Sequence, residues 1–223
     1  YEVEHSKSKI TFIDTPGHAA FTDMRARGAN VTDIVVLIIA ADDGVMPQTQ
    51  EAISHAKSAN VPIIIAINKC DKNEANPQQI KEQLLSENLI VEDLSGDIQC
   101  VEVSAETGAN IDKLLDSILV QSELSELKSN NDTFAEATVI EANVDKGRGP
   151  ICNLIVTNGK LSIGDIAVAG SEYGKVRAIL DDKGQSLKEA FASMPVQVLG
   201  FNHPPEAGDS FVTVESDEKA REL

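Results

Sequence analysis

The first 126 residues alternate between short apolar segments and segments with helical spacing, and this alternation limits the fold more than any other feature. The apolar segments read "KITFID", "DIVVLIIAA", "VPIIIAIN" and "IQCVEVS". The middle two have no alternating polar face, which is typical of strands buried on both sides. Strands and helices that alternate through short loops indicate a parallel sheet covered by helices. We therefore predict an α/β fold with a doubly wound, mostly parallel sheet.

The segments between these strands carry helix signals of their own. In "HAAFTDMRARGA", Phe21, Met24 and Arg25 recur at helical spacing, and Pro47 suits the first turn of "PQTQEAISHAKSA". "PQQIKEQLLSE" and "NIDKLLDSILVQSELSEL" complete the set. Four helices are therefore predicted between and after the strands.

The residue composition and the spacing of apolar residues change after residue 126. Residues 127–132 are polar and suggest a linker. Residues 133–223 contain six short strand-like runs, broken by glycine and by turns rich in aspartate. Short strands at this density indicate a small antiparallel β-barrel or sandwich. We predict two domains, residues 1–126 and residues 133–223, the second a small antiparallel barrel or sandwich.

The composition excludes several classes of function. The net charge is −17, so non-specific binding of DNA or other nucleic acid, which depends on Lys and Arg at phosphates, is not expected. No apolar run reaches the ~20 residues of a membrane-spanning helix. The three cysteines are widely separated and form no zinc-ligand pattern with the histidines. We expect no membrane partner, no DNA partner and no structural zinc.

Three polar clusters each follow one of the predicted strands. Residues 14–18 ("DTPGH") follow the first strand, residues 68–71 ("NKCD") the third, and residues 104–108 ("SAETG") the fourth. The carboxyl ends of parallel strands meet at one edge of a sheet, where such folds bind ligands. We therefore expect the three clusters to converge on one site.

The second and third clusters suit the base of a guanine nucleotide. The carboxylate of Asp71 can accept two hydrogen bonds from the neighbouring ring N–H and amino group of guanine, a donor pair that adenine lacks. Asn68 is predicted to bridge the two loops and contact the base edge, and the stem of Lys69 to cover the ring face. After Ser104, an N–H near Ala105 is predicted to donate to the guanine carbonyl oxygen.

The first cluster suits the phosphate end of the same nucleotide. Asp14 is predicted to hold Mg²⁺ through a water molecule. Gly17 has no side chain to block its N–H from the γ-phosphate. His18 is placed to orient an attacking water molecule.

Taken in order, "DTPGH", "NKCD" and "SAETG" resemble the motifs of the GTP-binding domain of translational GTPases. Within them the chain resembles the translation initiation factor 2 family of bacteria and mitochondria. The matching stretches include "ITFIDTPGHAAFTDMRARGA", "TDIVVLIIAADDGVMPQTQEAI", "ELKSNNDTFAEATVIEANVDKGRGP", "GDIAVAGSEYGKVRAILDDKG" and "SMPVQVLGF". The resemblance covers nearly the whole chain, and it implies that residues 1–126 are the later part of a GTP-binding domain and that residues 133–223 form a β-barrel domain.

This resemblance implies an initiation GTPase with GTP or GDP and Mg²⁺ as ligands. It assigns His18 the catalytic role, Asp14 the link to Mg²⁺, and Asn68 with Asp71 the reading of guanine. The implied partners are the small ribosomal subunit, the subunit interface and the initiator tRNA, the last through a C-terminal domain absent from this sequence. The expected state is a monomer in the mitochondrial matrix, with the bacterial cytoplasm as the alternative.

The sequence departs from the family at the phosphate-binding loop. No G-x-x-x-x-G-K-[ST] motif is present, and "GSEYGKV" (170–176) has the wrong spacing and no Ser or Thr at its end. The GTP-binding domain is therefore expected to be incomplete, and the chain to be a fragment that does not hydrolyse GTP alone.

Two alternatives stay open at this point. The chain could be a non-hydrolysing interaction module that keeps a GTPase-like fold, although such a module has no chemical need for Asp14, His18, Asn68 and Asp71. It could also belong to another translational GTPase of the elongation type. "MRARGA" and "DKGRGP" favour initiation.

Overall fold

The structure is a computed structural model that describes residues 1–223, with the side chain of Ala19 left aside. The chain forms two compact units. One consists of residues 13–127, and the other of residues 1–12 together with residues 128–223.

The elements are numbered along the chain. The α-helices are α1 Thr22–Val31, α2 Pro47–Ser58, α3 Pro77–Ser86, α4 Ile111–Leu124 and α5 Asp217–Glu222. Short 3₁₀ helices cover Ala19–Phe21 and Glu92–Leu94. The first strands are β1 Glu2–His5, β2 Ser8–Thr11, β3 Val35–Ala40, β4 Ile63–Asn68 and β5 Cys100–Glu102. The later strands are β6 Glu136–Asp145, β7 Gly149–Asn158, β8 Lys160–Ser162, β9 Ile166–Ala169, β10 Glu172–Leu180, β11 Ser186–Leu187, β12 Glu189–Phe191, β13 Pro195–Phe201 and β14 Ser210–Val214.

The unit of residues 13–127 is built on a parallel sheet in the order β3-β4-β5. The central strand β4 is rich in isoleucine, and residues 64–67 are fully buried, as a strand covered on both faces requires. The core on one side combines the sheet with α2 and α3; its members include Leu37, Ile39, Ile65, Ile67, Ile53, Ile80 and Leu84. The predicted α/β fold is confirmed, and β4 carries one of the predicted clusters at its carboxyl end.

Local signals set the starts of two helices in this unit. Pro47 occupies the first turn of α2, where its missing N–H is not needed. Asn76 precedes α3, and its side-chain oxygen accepts a hydrogen bond from the N–H of Gln79 at 3.2 Å. The predicted helices at these positions are therefore present, with bounds close to those expected.

The first predicted strand does not join the parallel sheet. β2 pairs antiparallel with β1 in a hairpin, which belongs to the unit of residues 128–223. The hairpin is held there by a hydrogen bond from the N–H of Glu2 to Asp182 at 2.9 Å and by a short one from Thr11 Oγ1 to the carbonyl of Ser193. The expectation that this strand belongs to the same sheet as "DIVVLIIAA" is therefore wrong. Its hydrogen bonds run to β1, so residues 1–12 group apart from the rest of the predicted first domain.

The second unit is a closed barrel of six antiparallel strands. The order is β10-β13-β7-β6-β14-β9, and β9 pairs with β10 to close it. Alternate residues point inwards along each strand, as in Ala137 and Val139 of β6 or Val196 and Val198 of β13. The predicted β-barrel is confirmed, and closure leaves no free edge among its six strands.

One glycine is required by the close approach of two barrel strands. The register of β10 against β13 shifts between Gly174 and Ala178. At the facing Gly200, φ is +147°, and a Cβ there would lie 2.0 Å from the carbonyl oxygen of Lys175. A side chain cannot fit at residue 200 without moving the bulged strand.

Two kinds of feature are absent from the described residues. None of the helices in this part of the chain is both long and apolar enough to cross a membrane. No cluster of three or more His, Cys, Asp or Glu side chains suited to a metal ion occurs among the described side chains.

Candidate functional site

The loop after β4 is joined by backbone hydrogen bonds to the segment that follows β5. The N–H of Cys70 donates to the carbonyl of Val103 at 3.2 Å, and that of Val103 donates to the carbonyl of Ile67 at 2.7 Å. Lys69 adopts a left-handed backbone conformation with φ +62°, which turns the chain sharply at the end of the strand. The loop is therefore anchored by backbone bonds on both sides of the turn.

The side chain of Asn68 bridges the two loops at this edge. Its Oδ1 accepts a hydrogen bond from the N–H of Ala105 at 3.0 Å. This N–H is therefore already engaged, whereas the sequence suggested that an N–H near Ala105 donates to guanine.

The loop of residues 104–108 is folded tightly around a buried serine. Ser104 is 1% exposed. Its Oγ accepts the N–H of Thr107 at 3.2 Å, and its carbonyl accepts the N–H of Gly108 at 2.9 Å. The serine hydroxyl thereby satisfies a backbone donor inside the turn. Ala105 is left exposed at the rim.

Two acidic residues that sequence reasoning missed hold the lysine of this loop. Lys69 Nζ lies 3.3 Å from Asp42 Oδ1 and 3.6 Å from Asp43 Oδ2, and Lys72 Nζ lies 2.7 Å from Asp42 Oδ2. Hydrogen bonds from Lys72 and then Lys69 hold the pKa of Asp42 below its ordinary value. The signal was the pair of acids just after β3, at the same sheet edge as "NKCD". The ion pairs restrain the ammonium group of Lys69 at this edge.

Asp71 is exposed, and no hydrogen bond or ion pair of its carboxylate is found among the described side chains. Both of its oxygens can therefore accept hydrogen bonds from a ligand. Its neighbours Cys70 and Lys72 both make hydrogen bonds to other segments of the chain, the first through its N–H to Val103 and the second through its side chain to Asp42. The carboxylate of Asp71 therefore belongs to a loop that is held on both sides. This arrangement fits a ligand edge with two adjacent N–H donors, as guanine has.

The first cluster reaches the site by a different route. Residues 14–18 belong to no strand or helix, and Asp14, Gly17 and His18 are exposed. Because β2 lies outside the parallel sheet, the cluster does not extend from one of its strands. A Cβ built on Gly17 would nevertheless meet Gln48 Oε1 at 3.8 Å, in the first turn of α2. Since α2 starts just beyond the carboxyl end of β3, the loop lies close to that edge.

Arg25 holds the backbone of this loop, and sequence reasoning missed its role. Its Nη1 donates to the carbonyls of Pro16 at 2.8 Å and His18 at 2.7 Å. Its Nη2 donates to Glu51 Oε1 of α2 at 2.6 Å. The sequence signal for this role was that Arg25 falls on the face of the predicted helix that carries Phe21, an apolar residue. A charge is costly to bury on such a face unless it is paired.

The two ends of the site fit a nucleotide to different degrees. At the base end, a fixed loop, the Asn68 bridge and an open carboxylate match the donor pattern of guanine. At the other end the chain offers one exposed carboxylate (Asp14), one unobstructed glycine and His18. The sequence contains no phosphate-binding loop to complete that end.

Two family profiles match this chain. The profile described as "Elongation factor Tu GTP binding domain" matches residues 1–123, and "Elongation factor G domain 2" matches residues 134–214. The chain belongs to the family of the elongation factor Tu GTP binding domain. The profile matched by the barrel residues follows it along the chain.

Curated relatives place the chain close to one branch of this family. It is 59% identical over 218 residues to "Translation initiation factor IF-2" of Granulibacter bethesdensis, which covers 98% of this chain. It is 57% identical over 223 residues to the protein of the same name from Rhizobium etli, which covers all of it. The chain spans 24% of the length of each. The resemblance to initiation factor 2 is confirmed. These relatives are bacterial, so the mitochondrial expectation finds no support in them.

Solved structures agree on the fold. The GDP-bound aIF5B of Aeropyrum pernix superposes with a TM-score of 0.73 at 24% identity, over 89% of this chain and 43% of that one. SelB of Methanococcus maripaludis, in complex with the GTP analogue GppNHp, gives a TM-score of 0.75 at 24% identity, over 96% and 48%. At this identity the likeness concerns the fold alone.

Proposed function

We propose that this chain is the guanine-reading and β-barrel part of a translation initiation GTPase. The observation that carries the proposal is the Asn68–Ala105 bridge at 3.0 Å beside the open carboxylate of Asp71. Hydrogen bonds already join this pair of loops in the absence of a ligand, which lowers the ordering cost of binding a guanine edge. The 57–59% identity to proteins named initiation factor 2 supports the biological setting.

Each residue at the base end has a distinct task in this proposal. Asp71 accepts two hydrogen bonds from guanine, and the bridge made by Asn68 keeps the two loops at a fixed spacing. Lys69, restrained by Asp42, lays its stem over the ring. Ser104 keeps the second loop closed. Adenine would leave the Asp71 carboxylate unpaired, which costs several kcal/mol in a desolvated site.

At the phosphate end we propose that Asp14 holds Mg²⁺ through a water molecule. The N–H of Gly17 faces the terminal phosphate, and His18 orients water for attack on it. A bound Mg²⁺ would supply charge neutralisation at the phosphates. Residues 1–126 act as one GTP-binding domain in this proposal, residues 127–132 as a linker and residues 133–223 as the barrel.

The proposed partners follow from the resemblance to initiation factor 2. They are the ribosome, at its small subunit and at the subunit interface, and the initiator tRNA through a further domain. We propose that the protein acts as a monomer in the bacterial cytoplasm, since the relatives matched here are bacterial.

The decisive experiment is equilibrium binding of a fluorescent GDP analogue with Mg²⁺. It is performed on this chain and on a version extended upstream through a phosphate-binding loop. We expect tight binding only by the extended version. Asp71→Asn should weaken guanine binding roughly 100-fold, from the loss of about 3 kcal/mol of charged hydrogen bonding, and should admit xanthine, whose donor pattern fits an amide. Asp97→Asn, at an exposed acid elsewhere in the same unit, is the matched control and should change neither. If neither version binds GDP, the proposal fails and an interaction module takes its place.

A further inference from the structure

Arg25 of α1 is buried, with a relative exposure of 9%, although it carries a permanent charge. Four hydrogen bonds account for its two terminal nitrogens. Nη1 donates to the carbonyls of Pro16 and His18 at 2.8 and 2.7 Å, and Nη2 donates to Glu51 Oε1 at 2.6 Å and Thr22 Oγ1 at 3.3 Å. Its Nε is the buried side-chain nitrogen left without a partner among the described side chains.

Such an arrangement is costly for stability alone. Burying a guanidinium ion loses its hydration, and the Nε donor has no compensating acceptor. An apolar side chain would fill the same place without either cost. The terminal nitrogens of Arg25, called here the Arg25 fork, instead donate hydrogen bonds to the backbone of the preceding loop. The advantage of a buried arginine at this position therefore lies in the conformation that it imposes on this loop.

The fork fixes the turn that contains Gly17. Its Nη1 joins two carbonyls that are two residues apart, Pro16 and His18, and so sets the direction of the peptide units between them. The carbonyl of His18 also accepts the N–H of Phe21 at 3.0 Å, which opens the following 3₁₀ helix. The side chain of His18 itself stays exposed. The backbone is held, while the imidazole ring is left accessible.

Glu51 ties the same fork to α2. Hydrogen bonds from Thr22 and Arg25 lower the pKa of Glu51 to about 2, so the carboxylate is ionised at neutral pH. His55 Nε2 lies 3.3 Å from the same oxygen. Gln48, one turn earlier on α2, is the neighbour of Gly17. The loop, α1 and α2 therefore meet through one guanidinium group.

We propose that Arg25, held by Glu51, is a positioning residue for GTP hydrolysis that sets the Gly17 N–H and the His18 ring at the phosphate end. This inference rests on the proposed function, because it assigns a purpose to a loop whose chemistry is GTP hydrolysis. The guanidinium acts through the loop backbone and does not touch the nucleotide. Lysine cannot replace it, since one ammonium group cannot span both carbonyls and the carboxylate.

The test compares Arg25→Lys and Glu51→Gln with Arg27→Lys, a matched change of a half-buried arginine two residues further along α1. In the extended version with ribosomes, we expect kcat for GTP hydrolysis to fall at least tenfold in the first two variants. GDP affinity should stay within twofold, because the base end is built on other elements. Arg27→Lys should retain the parent rate. Equal rates in Arg25→Lys and Arg27→Lys would overturn the proposal.

A second measurement separates positioning from simple stability. In the 223-residue chain, ¹⁵N relaxation should show lower order for the amides of Gly17 and His18 in Arg25→Lys, with no change at Ala105. If Arg25→Lys lowers order equally at Ala105 and weakens GDP binding in proportion, Arg25 is only structural and the inference is wrong. If the extended version without any substitution binds no guanine nucleotide at all, it is the proposed function that fails. If this extended version binds and hydrolyses GTP but its Arg25→Lys variant does so equally well, only the inference about Arg25 fails.

Discussion

The two ends of the candidate site are held in place by different means. The base loops grow out of paired strands: Asn68 is the last residue of β4, and the loop beyond β5 is joined to it through Ala105. Residues 14–18 follow no strand of that sheet and are held instead by one buried arginine. Backbone pairing gives a site rigidity that depends on the whole sheet. A side-chain clamp gives a site that a local change can loosen, as expected of a loop that responds to a phosphate group.

The largest effect should come from the strand that supports the base loops. Ile67→Ala removes a fully buried side chain from the centre of the sheet and should lower the free energy of unfolding by about 3 kcal/mol. Urea titration followed by amide NMR signals measures the loss, which should be confined to residues 13–127. Ile38→Ala, on β3 of the same sheet but 63% exposed, is the control and should cost little. Equal losses in the two variants would mean that burial in β4 does not support this end.

A smaller effect should follow from cutting the bridge between the base loops. Asn68→Ala leaves the N–H of Ala105 without its acceptor, at a cost of about 1 kcal/mol, or roughly fivefold in local opening. Hydrogen exchange at Ala105 reports this directly. Asn73→Ala, an exposed residue just beyond the same motif, should leave the exchange rate unchanged. Protection that survives in Asn68→Ala would show that the backbone alone joins the loops.

The smallest effect is the response to acid, which should distinguish the two ends. Glu51 has its pKa lowered from 4.5 to about 2 by hydrogen bonds from Thr22 first and Arg25 second. Its contribution is therefore complete above pH 4.5 and is lost as the pH falls towards 2. The amide signals of Gly17 and His18 should shift over this range, and Glu51→Gln should reduce that shift.

The bridge to Ala105 is uncharged, because Asn68 does not titrate, and its amide signal should move less than that of Gly17 in the same titration. If the amides of Gly17 and Ala105 shift together, the two ends are not held independently.

The sequence by itself determined the local structure around the base loops. The apolar run in "VPIIIAIN" predicted a strand buried on both faces, and Pro47 marked the start of a helix, because these signals depend only on the backbone and its immediate neighbours. The motif "NKCD" predicted an open carboxylate after that strand, and Asp71 is such a carboxylate.

Only the tertiary structure decided which strands pair and which side chains support the site. The periodicity of "KITFID" predicts a strand but does not say which strand it pairs with. In the structure it pairs with β1 and does not join the parallel sheet. The partners of Arg25 lie up to 26 residues away, and the acids that restrain Lys69 precede it by 26 and 27 residues. Spacing along the chain reports conformation and burial, whereas hydrogen bonds and ion pairs between distant segments arise only when the chain has packed.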